Sequence, residues 1–139
     1  MPPEVFFDTA YAIALAATSD QLHAQAAALA EKLEGEKIHM VTTQAVLLEI
    51  GNALAKRRYR AAAVQLLSAL AADPSVEVVA LSGALYEEAF QLYQGRPDKE
   101  WGLIDCVSFV VMKARGITEA LTFDEHFEQA GFRALLRPT

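Results

Sequence analysis

Hydrophobic and polar positions along this chain change period several times, and each change marks an element. Residues 4–8 read Glu-Val-Phe-Phe-Asp, a short apolar strand ending on an acid. Residues 9–17 follow as a helix, and Ser19 or Asp20 is placed to cap a second one running to about residue 34, with Gly35 as its stop. Residues 37–41, with apolar Ile38, Met40 and Val41, predict a short strand. Thr42 or Thr43 then caps a helix to about residue 58, and an Ala/Leu-rich helix spans roughly residues 60–72 before Asp73-Pro74 ends it. The β-branched run at 76–80 is a strand, Ser82 caps a helix to about residue 94, and residues 95–98 form a loop. Residues 103–115 are strongly apolar and predict a buried helix closed by Gly116. A strand at 119–122, a short helix opened by Asp124 and ending before Gly131, and a last strand at 133–136 complete the chain.

Strands alternate with helices throughout. That order predicts an α/β fold with a mainly parallel central sheet of about four or five strands and helices on both faces. With no internal repeat or linker, residues 1–139 are expected to form a single domain.

Composition narrows the class. At 53% apolar and 22% charged residues, the chain is built to bury a core rather than to stay disordered. No apolar run approaches the roughly 20 residues needed to cross a bilayer, and Met1-Pro-Pro-Glu4 carries no basic stretch ahead of an apolar one, so no signal peptide is expected. Cys106 is the single cysteine, which excludes an internal disulfide and suits a reducing cytoplasm. The net charge of −6 argues against a simple phosphate-binding protein. It argues less against a metal-dependent nuclease, because a divalent cation held by clustered carboxylates reverses the local field.

Four acids fall where such a cluster is expected. Ligands of a parallel sheet bind beyond the carboxyl ends of its strands. Asp8 directly follows the first strand, and Asp124 follows the strand that ends at Thr122. Asp105 lies in the first turn of an otherwise apolar helix, and Glu49 flanks the helical stripe of Val46, Ile50, Ala53 and Leu54. Carboxylates brought together repel one another unless a cation joins them. Oxygen-only ligands without His or Cys favour Mg2+ or Mn2+ over zinc. Each acid also has a plain structural role open to it: Asp8 and Asp124 as helix caps, Asp105 as a partner of a helix dipole, Glu49 as a neighbour of Lys56 and Arg57.

Other features carry less. The basic run Lys56-Arg57-Arg58-Tyr59-Arg60 fits either RNA phosphates, with Tyr59 stacking on a base, or a solvated helix C-terminus. Arg96 and Lys99, in the loop before Asp105, are placed somewhat better for a substrate phosphate. Trp101 and Cys106 are expected to be core residues. His23, His39 and His126 lack mutual metal-ligand spacing; His126, close to Asp124, has two places open to it, beside the site or, as the stronger expectation, on a capped helix surface. Leu47, Leu48, Leu66, Leu67 and Leu70 are expected in the core, the alternative being an apolar face for a partner helix or a second copy.

The pieces Phe7-Asp8-Thr9 with Ala12-Ile13-Ala14-Leu15, Glu49-Ile50-Gly51-Asn52-Ala53-Leu54, Asp98-Lys99-Glu100-Trp101-Gly102-Leu103-Ile104-Asp105 and Ala120-Leu121-Thr122-Phe123-Asp124-Glu125-His126-Phe127 together resemble PIN domains. The likeness is greatest to the VapC-like ribonuclease toxins and runs over nearly the whole chain. It implies a PIN fold and endonucleolytic cleavage of RNA that depends on Mg2+ or Mn2+. The catalytic and metal-holding residues would be Asp8, Glu49, Asp105 and Asp124, with Asn52 and Thr122 as polar supports. Arg96, Lys99, Arg57 and Arg58 are the candidate RNA contacts. The resemblance also implies an antitoxin protein as partner and a homodimer. Gly102 departs from it, standing where a small polar residue is frequent. In-line attack by water with departure of the 3′-oxygen leaves a 5′-phosphate. Competing readings are a catalytically silent PIN scaffold and a phosphoacceptor module. The latter needs an acidic pair near the first strand and a late Lys, whereas Asp8 stands alone. A phosphatase with an Asp nucleophile would carry Asp-x-Asp, and position 10 is Ala.

Overall fold

A computed structural model describes residues 3–19 and 21–138. The elements in chain order are β1 (Glu4–Phe7), α1 (Thr9–Ala16), α2 (His23–Gly35), β2 (His39–Thr43), α3 (Gln44–Ala53), α4 (Arg57–Ala72), β3 (Val76–Val79), α5 (Gly83–Gly95), α6 (Leu103–Arg115), β4 (Glu119–Leu121), α7 (Glu125–Gln129) and β5 (Arg133–Ala134). The five strands form one sheet in the order β3-β2-β1-β4-β5, and every pairing is parallel. The chain builds outward from β1 in one direction through β2 and β3, then crosses back to add β4 and β5 on the other side. α1 packs on one face of β1 and α7 on the other, as the contacts of Phe7 with Tyr11 and of Phe6 with Phe127 show. The expected α/β class and parallel sheet are therefore what the chain forms.

The pleat explains why β1 needs two adjacent phenylalanines. Successive side chains of a strand leave on opposite faces. Phe6 meets Phe127 of α7 at 6.4 Å between ring centroids, while Phe7 meets Tyr11 of α1 edge-on at 5.1 Å. A central parallel strand covered on both sides must be apolar at every position. Phe6, Phe7, Val41, Val46, Ile50, Met112, Leu121 and Phe127 are all buried in this double-faced core. Trp101 anchors the far side as expected, packing edge-on against Phe109 and donating its Nε1–H to Gln129. Cys106 is buried and burial raises its thiol to about 11, as befits a core residue.

Several local boundaries differ from expectation. Gly35 does not stop α2 but forms its last residue, and the left-handed turn falls on Lys37 at φ +54°. β2 accordingly starts at His39 rather than at residue 37. α2 begins at His23 behind Leu22, without a side-chain cap, so Ser19 does not cap it; Asp20 lies outside the described residues. Thr43, not Thr42, caps α3 by accepting the Val46 N–H, which leaves the Thr42 hydroxyl to bind the Phe7 carbonyl at 2.8 Å. α3 ends at Ala53 rather than near residue 58, because the chain turns over buried Leu54. Arg57 and Arg58 thus open α4 instead of closing α3, and the helix dipole opposes them there rather than favouring them. Leu48 is 63% exposed and not a core residue. No helix among the described residues is long and apolar enough to cross a membrane.

Near the amino ends of the strands, Glu4 and Glu77 share Arg115 of α6, at 3.2 and 2.9 Å, and His39 lies 3.6 Å from Glu4 and 3.8 Å from Glu77. Arg115 holds the Glu77 carboxyl below its ordinary range. This acidic cluster carries its own protein cation, a point of contrast with the cluster at the opposite end of the sheet.

Candidate active site

The order of strands reverses between β1 and β4, and ligands of such sheets bind at that switch point beyond the carboxyl ends. Asp8 is the residue after β1 and Thr122 the residue after β4. Their side chains meet: the Thr122 hydroxyl donates to Asp8 Oδ2 at 2.8 Å, with both residues buried. The same hydroxyl accepts the Asp124 N–H at 3.1 Å, so one threonine ties the two acids at the sheet edge together. Asp8 occupies the N-cap position of α1 but makes no capping hydrogen bond with its side chain, so the cap role leaves its carboxylate unexplained.

The other acids come from helices. Asp105 is the third residue of α6 and accepts the Gly102 N–H on Oδ2 at 3.1 Å, an exchange that starts the helix and aims the carboxylate. The departure at Gly102 thus costs the position nothing, since its backbone makes the contact. Glu49 of α3 accepts the Thr9 hydroxyl at 2.5 Å. Asp124 does cap α7, accepting the His126 N–H on Oδ1 at 2.9 Å. Asp8, Thr9, Ala10, Ile13, Glu49, Asp105, Phe123, Asp124 and His126 line one cleft of about 350 Å³. A larger, mostly apolar cavity of about 480 Å³ lies away from these acids, among residues of α1, α2, β2 and α4. The smaller cleft is the candidate site, because all four candidate acids line it.

Electrostatics single out this cleft. Burial raises the Asp8 carboxyl to about 7, against the hydrogen bonds from Thr122 and Thr9, and the charges of Asp105 and Glu49 push the same way as burial. Burial likewise lifts Asp105 above its ordinary range, helped by Asp124 and opposed by the Gly102 N–H and His126. No Lys or Arg lines the cleft among the described residues. The acids facing Arg115 have a permanent protein cation; among the described residues these acids have no Lys or Arg, and only His126 stands beside Asp105 and Asp124. Carboxylates placed this way fit a divalent cation. Donor atoms of Asp105, Asp124 and His126 all lie within 4.8 Å of one another, and Asp8 and Glu49 line the cleft beside them.

The PIN-domain family model matches residues 5–133. This chain belongs to the PIN-domain family. Over 128 residues it is 30% identical to the 23S rRNA-specific endonuclease VapC20 of Mycobacterium tuberculosis, covering 92% of this chain and 95% of that one. The crystal structure of that protein, described as a Sarcin-Ricin loop cleaving toxin, superposes with a TM-score of 0.80 over 92% of this chain and 95% of the other. VapBC2 of Rickettsia felis, solved with a DNA fragment from its promoter, shares the fold at a TM-score of 0.68 and 12% identity, covering 94% of this chain and 96% of that one.

In this PIN domain the remaining candidates separate cleanly. Thr122 is brought to the site. Asn52 is exposed on α3 and does not line the cleft. Arg57, Arg58, Arg96 and Lys99 also lie outside its lining. Arg96 is committed elsewhere, paired through two nitrogens with Asp98 at 2.9 Å and stacked 5.2 Å over Trp101. Arg58 lies over the ring of Tyr59 at 4.8 Å. One polar residue of the cleft escapes sequence reasoning, and a second takes the less expected of its two places. Thr9 was hidden as an ordinary first helical residue. His126 lies beside the site rather than on a helix surface, its Nδ1 3.4 Å from both Asp105 and Asp124. An acid two residues before a histidine, after a strand, was the available signal.

Proposed function

We propose that this PIN domain is a metal-dependent endoribonuclease using Mg2+ or Mn2+, with Asp8, Glu49, Asp105 and Asp124 as its catalytic and metal-holding residues. The observation that carries the reading is the convergence of four acids from four segments on one cleft without a basic side chain. When bound, such an ion polarises the phosphate and lowers the pKa of a coordinated water. The chain itself supplies the positioning. The Thr122 hydroxyl holds Asp8 Oδ2 and the Gly102 N–H holds Asp105 Oδ2, which fixes how both carboxylates are oriented in the cleft. Thr9 fixes Glu49. Apolar Ala10, Ile13 and Phe123 share the lining of the cleft with the acids.

In this reading residues 1–139 act as a single nuclease domain. Likeness to a relative described as a toxin supports a toxin role, with a protein antitoxin as partner; the pairing of two copies is part of the same proposal. A buried, lone Cys106 suits a reducing cytoplasm. Ribosomal RNA containing the stem-loop cut by that relative is the first substrate to test. The purified protein with Mn2+ should cleave it and leave 5′-phosphate ends, and EDTA should stop the reaction. Cleavage that persists in EDTA, or no cleavage of any RNA with either ion, would remove this reading; the second result would favour a silent scaffold.

A supporting prediction isolates Thr122. Thr122→Val keeps the shape but removes the hydroxyl shared by Asp8 and Asp124. Loss of a group that orients a metal ligand lowers activity about 10–100-fold, and the far-UV circular dichroism should not change. A variant with wild-type rates would show that Asp8 needs no such support.

A further inference from the structure

His126 is the one nitrogen donor lining the acidic cleft among the described residues. Its backbone N–H is held by Asp124 at 2.9 Å, and the neighbouring Phe127 is buried in the core, so α7 fixes where the ring stands. Nδ1 is 3.4 Å from Asp105 Oδ2 and 3.4 Å from Asp124 Oδ1. Those separations are poor as hydrogen bonds, whose N···O distance centres near 2.9 Å. They lie close to the spacing of adjacent ligands about one octahedral ion, about 3 Å for bonds of about 2.1 Å. One donor atom from each of the three residues falls within 4.8 Å of the others, which one ion spans. The comparable trio of Glu4, His39 and Glu77 differs because Arg115 already bridges its carboxylates.

We infer that His126 is a metal ligand of the cleft, its Nδ1 joining Asp105 and Asp124, and that this nitrogen makes the site prefer Mn2+ to Mg2+. The inference rests on the reading of the cleft as a divalent-cation site and changes its donor set, which sequence reasoning took to be oxygen alone. Mg2+ demands near-ideal oxygen coordination and surrenders its waters reluctantly, whereas Mn2+, though also at home with oxygen, is a larger and softer ion that accepts one imidazole nitrogen more readily. Coordination through Nδ1 leaves Nε2–H free to face solvent or substrate.

Mn2+ is a spin probe, so ligation can be read without any activity assay. Electron spin echo envelope modulation of the Mn2+-loaded full chain should show coupling to a directly bound ¹⁴N. Labelling the histidines with ¹⁵N should alter that coupling, His126→Ala should abolish it, and His39→Ala should leave it. By calorimetry, the ratio of Mn2+ to Mg2+ affinity should fall about tenfold in His126→Ala. Bound Mn2+ without nitrogen coupling, or coupling that survives His126→Ala, would overturn the inference and leave the carboxylate site standing with His126 as a mere neighbour. Failure of the wild-type chain to bind Mn2+ at all would overturn the underlying cation site, and the inference with it.

Discussion

Asp105→Asn is expected to reduce RNA cleavage by on the order of 10³-fold while α6 stays in place. The two consequences separate because Asp105 makes two kinds of contact. Its Oδ2 accepts the Gly102 N–H that begins α6, and an asparagine carbonyl accepts the same bond. Volume and helix capping are kept, and the buried hydrophobic side of α6, through Cys106, Val107, Phe109, Val111 and Met112, is untouched. What disappears is a negative charge facing Asp124 and His126 in the cleft. Losing one preorganised group at a charged transition state costs about 10²–10³, and a metal-holding carboxylate carries more than one such contact. Single-turnover rates with saturating Mn2+, set beside a thermal melt, check both halves. Near-wild-type cleavage would remove Asp105 from the machinery; a collapsed melting temperature would show that its role is structural.

Asp8→Asn should also abolish cleavage, and should stabilise the metal-free protein. The folded Asp8 carboxyl titrates at about 7 against an ordinary 3.8, mainly through burial. Below about pH 4 the group is neutral in both folded and unfolded chains, and it costs nothing. As pH rises to about 7 the unfolded chain gives up a proton that the folded chain keeps, so stability falls by about 1.4 kcal/mol per unit. The loss is therefore on the order of 4 kcal/mol across that window and constant above it. Asparagine mimics the neutral form. In EDTA at pH 8 the variant should resist urea better than wild type, and the gap should close toward pH 4. Added Mn2+ should stabilise wild type more than the variant. A variant less stable than wild type at pH 8 would contradict the idea that the fold holds these acids at a cost offset by a cation.

That cost explains which parts of the site are legible in a sequence. Asp8 and Asp124 stand out because an acid directly after an apolar strand lands at the sheet edge whatever the details of packing. Asp105 stands out because twelve mostly apolar residues share its helix. α6 runs over the expected residues for the same reason, its apolar content leaving one register and Gly116, at φ +70°, supplying the left-handed exit. Thr122 was marked only through family resemblance; nothing local says that its hydroxyl will face a carboxylate 114 residues away. For His126 the nearness to Asp124 is legible, but spacing among histidines says nothing of a second acidic partner 21 residues distant, so its place by the site is underweighted. The turn between α3 and α4 was illegible because helix-forming residues occupy both sides of it, and only the burial of Leu54 breaks the helix. Its misplacement moved Arg57 and Arg58 from a helix end that welcomes cations to one that does not.

Diffraction from crystals soaked in Mn2+, recorded with anomalous differences, asks most directly whether these acids hold an ion. The account predicts a peak in the cleft with carboxylate oxygens of Asp105 and Asp124 about 2.2 Å away, reached also by Asp8 directly or through one water, and no peak beside Arg115. Strong anomalous density elsewhere on the molecule, with none in the cleft at saturating Mn2+, would contradict it.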